Sequence, residues 1–556
     1  MKLVDFLKTM ILFEPPEKIE NFILKENPGE NSGADNKRYE NTGNEKDYIS
    51  RNLSENLEYI MQAYSIPVNG DIVVREFLIN VKDKSYKAFI IFFDGMTNSK
   101  IIDDNILGPL MLLSDLDNKR VHDNIPEYIR SRLITHNQLK VVRKYSEVID
   151  EVNFGGCAVF IDEIDSAFTA DVKGWQSRGV GIPQTEKTIR GPQESFTEGV
   201  RTNSALVRKI LKDKDLIVES VPLGKRSKTP CSILYIKDIA NNSLVGEVRR
   251  RLRGISADYV MDSGEMEQLI EDGSFLPLPQ TITTERPDRV AALLAEGRVG
   301  LIMQGSPIAL VVPATLPELI HSSEDSYIRF PYVNLLRLLR VLGILMSLFL
   351  PAIFVAATNY HQEMVPTNLL MAIAATRERV PFPIVFELII AELAFELIRE
   401  AAVRIPGPIG STLGIVGGLV LGQAAVTANI VSPILIIVVA VAAIGSFAIP
   451  NFSLGFAFRI LKFVYILLAA VLGFLGIAIG LCLQGFWFSS SKSFGVPMLS
   501  PFGPVVSLMF LNDITRAPIW KQERRPDYLN TKDERKQPKI SRKWLGIKDR
   551  GDGNGK

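Results

Sequence analysis

Residues 335–520 hold 17 charged side chains in 186 positions, about 9%, whereas the other 370 residues carry 108 of the chain's 125 charges, about 29%. No other feature constrains the fold as strongly. A chain that changes composition this sharply has one part built for water and one built for lipid. The averages conceal the change. With 47% hydrophobic residues, 22% charged residues and a net charge of +1, the whole chain looks like an ordinary globular protein. Those values exclude a strongly basic nucleic-acid binder and a disordered chain.

The charge-poor part contains five apolar stretches, at about 341–358, 384–403, 408–426, 432–449 and 463–484. Each is close to the roughly 20 residues that cross a bilayer. Pro351, Pro433 and several glycines inside them are compatible with membrane helices. A sixth stretch, 495–511, is interrupted by proline and reads as interfacial or re-entrant. The expected helical membrane domain therefore covers 331–520 with four to six segments. Arg329, Arg337 and Arg340 before the first span place that side in the cytoplasm. The basic tail, 521–556, has twelve Lys/Arg against six Asp/Glu and belongs there too. Five crossings would separate the two. Either 384–403 lies in the interface, or 495–511 returns through the membrane; Arg399, Arg404, Arg459 and Lys462 favour the second arrangement.

The second apolar stretch carries Glu387, Glu392, Glu396 and Glu400. On a helix the last three fall within about 80° of one another, and Glu387 lies on roughly the opposite side. Such a stripe avoids lipid. Repeated around a ring of subunits, it forms a cation-selective lining. Two plainer readings stand beside it. Arg399 follows Glu396 by three residues and Arg404 follows Glu400 by four, so a paired network neutralises the acids; or the helix is an interfacial amphipath. The third stretch repeats a small residue every four positions, at Gly410, Gly414, Gly418 and Gly422. That face lets another helix approach closely, in the same chain or a second one, for packing or gating.

Upstream, an N-terminal extension and polar linker (1–55) precede strand-like and helix-like stretches in alternation. Strands are expected at 71–79, 86–93, 155–162, 215–221, 231–237 and 299–305, and helices at about 193–212, 242–254 and 286–296. This pattern predicts α/β architecture. The Gly- and Pro-rich run at 174–192 divides it into subdomains at 56–185 and 186–330. No internal repeat is evident. The opening residues carry no small-residue cleavage site, so the first apolar span is expected to direct insertion and leave the N-terminal part in the cytoplasm.

Signals for chemistry are weak. Cys157, Cys231 and Cys482 are far apart, as are the four histidines, so neither a disulfide framework nor a metal site is readable. The stretch 223–229 imitates part of a phosphate loop but has Glu219 where the earlier glycine belongs. Asp94-Gly95 reads as a tight turn. Trp175 and Arg178, in a glycine-rich loop, are a candidate subunit contact or simply loop structure. No catalytic, cofactor-binding or metal-ligating constellation is expected.

Four segments together are distinctive: GWQSRGVGIPQTEKTIRGPQESFTEGVRTNSALVRK (174–209), RPDRVAALLAEGRVGLIMQGSPIALVVP (286–313), NYHQEMVPTNLLMAIAATRERVPFP (359–383) and SFGVPMLSPFGP (493–504). They resemble the GerA family of spore germination proteins, and within it the A subunits of nutrient germinant receptors. The resemblance covers about 56–525; the first 50 residues and the final tail depart from it. It implies an integral protein of the spore inner membrane with its N-terminal region on the cytoplasmic, spore-core side. It also implies a transporter-like B subunit that binds nutrient, a lipoprotein C subunit, a homo-oligomeric ring that conducts ions, and no enzymatic role or nucleic-acid partner. A related paralogue associated with dipicolinic-acid release, which amplifies germination without sensing nutrient, shares the same core. A non-conducting scaffold is the rival within this class. Membrane lipid is a further partner of the helical domain; the basic tail, with Trp520 and Trp544, reads either as a segment lying on anionic lipid or as a solvated tail.

Overall fold

The structure is a computed structural model that describes residues 22, 24, 47–81, 84–112, 139–174, 181–273, 277–404, 418, 420, 422–503 and 515–537. It contains two five-stranded sheets followed by a helical bundle.

The first unit opens with α1 (Leu53–Ala63), whose first turn is capped by the Asn52 side chain accepting from the Ser54 N–H. A long hairpin follows, β1 (Ile72–Val81) and β2 (Lys84–Phe93), paired from Ile72↔Phe93 to Val81↔Lys84. After a helical segment at Ser99–Leu112 come β3 (Leu139–Val142), α2 (Tyr145–Asn153), β4 (Cys157–Ile161) and β5 (Ala167–Ala170). The sheet order is β1-β2-β4-β5-β3, and every pair is antiparallel.

The second unit repeats this plan. It runs α3 (Val200–Ile210), β6 (Leu216–Leu223), β7 (Thr229–Ile236), α4 (Asn242–Gly254), α5 (Ser263–Ile270), β8 (Ile282–Thr284), α6 (Pro287–Ala295), β9 (Val299–Met303) and β10 (Ala309–Val312). Its order, β6-β7-β9-β10-β8, is the order of the first sheet, again antiparallel throughout. The layers match as well. The helix before the first strand and the helix before the fourth cover one face, α1 and α2 in one unit, α3 and α6 in the other. The helices between the second and third strands cover the opposite face. Burial from both sides explains why central strands such as CAVFI and VGLIM are continuous apolar runs rather than alternating ones. The chain thus contains an internal duplication of fold that leaves no repeat in the residues, because either face tolerates any apolar side chain of suitable volume.

The units meet through polar bonds, with Ala205 of α3 packed on the core of the first unit beside them. Gly70 N–H donates to the Val218 carbonyl at 2.8 Å. Arg208 of α3 reaches Asp71 with Nε and Nη2 at 2.6 and 2.8 Å, and Asn69 at 3.0 Å.

The helical region consists of α7 (Phe330–Asn359), α8 (Thr367–Arg377), α9 (Ile384–Arg404), α10 (Pro433–Phe447), α11 (Phe452–Leu472) and α12 (Phe474–Ser490), as far as it is described. Among the described residues, α7 and α11 are long and apolar enough to cross a membrane, while α10 and α12 are shorter apolar helices. One hydrophobic core runs from the second sheet, through Leu234, Ile302 and Val311, into the bundle at Leu348, Leu388, Leu435 and Tyr465.

Three features differ from the expectations drawn from sequence. The stretch 463–484 is not one span. It breaks at Gly473, whose backbone (φ 62°, ψ −139°) is costly for any residue with a Cβ. Helices α11 and α12 fold back on each other there: a Cβ on Gly480 would meet the Tyr465 ring, and the Tyr465 hydroxyl donates to Gln484. A close helix crossing outside the expected glycine face is made by Gly343 of α7 and Gly445 of α10, where a Cβ on Gly445 would lie 2.5 Å from the Gly343 carbonyl oxygen. Finally, 492–503 is not described as a membrane segment. A two-residue ladder, β11 (Lys492–Ser493) with β12 (Val496–Pro497), buries Phe494 and Val496 in the core of the second sheet. Within the expected domain 331–520, residues 493–496 thus pack on the second α/β unit. Part of the tail packs there too, through Arg525 to the Ala295 carbonyl and Asn241 to the Asn530 carbonyl.

Candidate functional site

The helix α9 is largely apolar, so its charged residues must find partners inside the bundle or pay the cost of desolvation. Contacts along its length give its direction. Glu387 lies beside Ser432 at the start of α10, and Arg399 beside Ser446 near its end, so α9 and α10 run parallel. Glu392 meets Lys462 and Glu396 meets Arg459, so α9 and α11 run antiparallel.

The innermost pair is Glu392 with Lys462. Oε2 lies 2.5 Å from Nζ, and the two side chains are 1% and 3% exposed. The other carboxylate oxygen, Oε1, has no hydrogen-bond partner among the described residues. One turn further on, Glu396 accepts from Arg459 Nη1 at 3.0 Å through Oε2, while Oε1 lies 3.7 Å from both Lys462 Nζ and Arg399 Nη1 and has no hydrogen bond among the described residues. Arg399 donates to Ser446 Oγ at 2.7 Å, and its guanidinium lies about 5 Å from the rings of Phe395 and Phe447. Arg459 stacks on Phe456. Two carboxylates thus face three cations. The cluster ties α9 to α11 and, through Arg399, to α10.

Glu387 is fully buried on a different side. Its Oε1 accepts from the Ser432 N–H at 2.5 Å, and its Oε2 lies 3.5 Å from Arg377 of α8. Ser432 Oγ and Glu387 Oε2 have no hydrogen-bond partner among the described residues. Glu400 is exposed. Of the four glutamates singled out by sequence, the structure brings Glu392 and Glu396 together, sets Glu387 apart and leaves Glu400 at the surface. Gly418 has no neighbour within 4 Å of a built Cβ, and Gly422 meets only Ile436 at 3.9 Å. Gly410, Gly414, Trp175 and Arg178 lie outside the described residues.

Of the pairs expected from sequence, Arg399 with Glu396 is present at 3.7 Å, whereas sequence reasoning missed the other partners. Lys462 and Arg459 served there only as indicators of sidedness, and Arg377, Ser432 and Ser446 were not considered. One signal was available: Arg459 and Lys462 are three apart in an apolar helix, so they share a face, as the glutamates do. Among the described residues no group of three or more His, Cys, Asp or Glu side chains is arranged to hold a metal ion.

A second polar cluster lies where the second sheet passes into α7. Asp325 accepts from Arg340 Nη1 and Nη2 at 2.7 and 2.8 Å and from Arg337 Nε at 3.4 Å. The Tyr327 hydroxyl donates to Asp288, which also receives Arg286. Burial opposes ionisation of Glu318 nearby, but the hydrogen bond and charge of His321, with Arg298 and Arg289 beyond, outweigh it and hold the carboxyl down at about 2.

Comparison with known proteins gives a consistent set of similarities. The family model described as "Bacillus/Clostridium GerA spore germination protein" matches residues 58–528. "Spore germination protein KA" of Bacillus subtilis (strain 168) is 37% identical over 494 residues, covering 89% of this chain and 90% of that one. "Uncharacterized membrane protein YfkQ" of the same organism is 37% identical over 482 residues, covering 86% and 91%. Among solved structures, the N-terminal domain of the A subunit of the Bacillus megaterium spore germinant receptor GerK3 is 31% identical and covers 48% of this chain and 97% of that one, with a TM-score of 0.37.

Proposed function

The chain belongs to the GerA family of spore germination proteins, and from that premise we propose that it is the receptor A subunit whose helical region passes cations across the spore inner membrane when a partner binds nutrient. In this reading its partners are a transporter-like B subunit, a lipoprotein C subunit and further copies of itself. The α/β units face the spore core, and the chain catalyses no reaction.

The observation that carries the reading is the charged cluster of α9 and α11. Buried charges in an apolar bundle are expensive and are retained where ions pass or where two packings of helices exchange. Among the described residues the pairing is incomplete, since Glu392 and Glu396 each keep one oxygen without a donor there. An under-satisfied pair favours one arrangement over another by a small margin, which suits a pathway that opens and closes. Helix directions support six traverses. Because α9 and α10 run parallel, this reading needs the expected stretch 408–426 as a further traverse between them. Because α11 and α12 form a hairpin at Gly473, the last helix ends on the same side as the start of α7.

The intrachain answer to Glu392 and Glu396 also favours a second reading, a scaffold subunit that holds the receptor together without conducting. Conductance of the purified chain in planar bilayers separates the two. In spores whose cation release depends on this chain, Glu392→Gln with Glu396→Gln is expected to slow nutrient-triggered release while the complex still assembles. Unchanged release removes both glutamates from the pathway.

A further inference from the structure

We infer that the strap following the last membrane helix, Ser491–Met498, is a mechanical relay through which the second α/β unit moves α12, and with it the charged pairs of α9 and α11. The inference rests on the ion-conducting reading above and adds the part of the chain that drives it.

The strap is built as a plug. Helix α12 ends at Ser490, and within four residues the backbone turns back on itself through Phe494 (φ 46°) and Gly495 (φ 80°). A phenylalanine in the left-handed region is unfavourable unless its surroundings hold it there. They do so from three directions. The Phe494 side chain is fully buried, and the guanidinium of Arg251 lies 4.2 Å from its ring centroid. The Phe494 N–H donates to Asp272 Oδ2 at 2.7 Å, and the other oxygen of Asp272 receives Arg251 at 2.5 Å. Ser493 Oγ donates to the Gln280 carbonyl at 2.6 Å and accepts from the Ala314 N–H at 2.9 Å.

The last contact is the informative one. Ala314 is two residues beyond β10, on the linker that leads to α7. Leu316, two residues further, donates its N–H to the Met498 carbonyl at 2.8 Å. The segment entering the bundle and the segment leaving it are therefore hydrogen-bonded side by side on the same unit. A shift of that unit acts on α7 and α12 together. At its other end α12 is seated on α11 without slack, since Gly476 and Gly480 leave no room for a Cβ against Leu468 and Tyr465. Helix α11 carries Lys462 and Arg459. A continuous path of close contacts thus runs from the second sheet, through Phe494, α12 and α11, to Glu392 and Glu396.

A relay must be stiff, whereas an anchor needs only to hold. Inserting Gly-Gly-Ser between Ser490 and Ser491 keeps the plug and its socket intact and adds slack. In spores carrying the full receptor, the insertion is expected to leave the chain at its normal level in the membrane and to slow nutrient-triggered potassium release at least tenfold. Wild-type release at wild-type protein level overturns the relay and leaves the strap as an anchor. Should the insertion variant fail to accumulate, Ser493→Ala decides: it removes the hydrogen bonds to Gln280 and Ala314 without lengthening the chain. Slowed release at normal protein level supports the relay, and wild-type release overturns it. A strain lacking the chain separates this from its premise. Normal potassium release without the chain overturns the ion-conducting reading itself. Release that depends on the chain but ignores the insertion overturns the relay alone.

Discussion

Two buried ion pairs in this molecule are built to opposite standards. Arg208 and Asp71, where the α/β units meet, form a two-pronged contact in which both carboxylate oxygens are used, a third bond reaches Asn69, and the guanidinium lies 4.1 Å from the centre of the Phe93 ring. Glu392 and Lys462, in the helical bundle, share a single contact, and one carboxylate oxygen is left over. Both pairs are almost wholly withdrawn from solvent. Burial is therefore not what separates them; satisfaction is. A fully bonded pair has one low-energy geometry and fixes the two units against each other. A partly bonded pair leaves a donor position open, so a neighbouring geometry lies close in energy.

Removing one partner should expose that difference most clearly at the junction. Arg208→Met leaves Asp71 buried without its cation, and the expected loss is about 3–5 kcal/mol. Chemical unfolding of the full-length protein in detergent, followed by a probe in the first unit, measures it. A loss below about 1 kcal/mol would mean that the junction is held by its apolar contacts and that the comparison has been drawn at the wrong place.

The bundle pair should be more tolerant. Lys462→Met is expected to cost less than the roughly 3–5 kcal/mol of a broken buried pair, because Arg459 and Arg399 remain beside the cluster. The double change Glu392→Gln with Lys462→Met should return to within about 1 kcal/mol of the parent, because a neutral pair of similar volume spares the desolvation of two charges. Thermal unfolding of the single and double variants gives the coupling between them directly. A double variant as unstable as the single one would show that the charges themselves, and not their mutual cancellation, hold α9 against α11.

How much of this was readable beforehand follows from sequence distance. The glutamates of α9 stood out because four acids in an apolar stretch are visible within 14 residues. Their partners were hidden because Lys462 lies 70 residues away, and nothing local says which helix packs on which. The break at Gly473 was hidden for a different reason. Its neighbours on both sides are apolar, and a hydropathy pattern carries no information about one residue's φ. The strap was misjudged because proline and apolar residues after a span resemble an interfacial segment. Phe494, Val496 and Met498 are apolar because they fill a protein core, not because they face lipid. The strands of the α/β units were legible as apolar runs, whereas their common topology was not, since strand order depends on pairings that residue types do not encode.

Charge at the passage into α7 lies between these extremes and should give the smallest effect. The Glu318 side chain is 21% exposed, and its partner His321 stands three residues away at 3.5 Å. Screening limits such a pair to about 1 kcal/mol or less. Its pH dependence is nevertheless distinctive. The folded chain holds the carboxyl at about 2, below the ordinary 4.5, despite the opposing effect of burial. A carboxyl whose value is lowered by folding contributes stability that is complete above its ordinary value and is lost as pH falls through the folded one. The contribution of Glu318 is thus full above pH 4.5 and disappears toward pH 2. Glu318→Gln should lower stability by up to about 1 kcal/mol at neutral pH, by progressively less toward pH 2, and so flatten the acid limb between those values. An acid limb identical to the parent's would mean that the passage is held by Asp325 and its two arginines alone, with Glu318 a bystander.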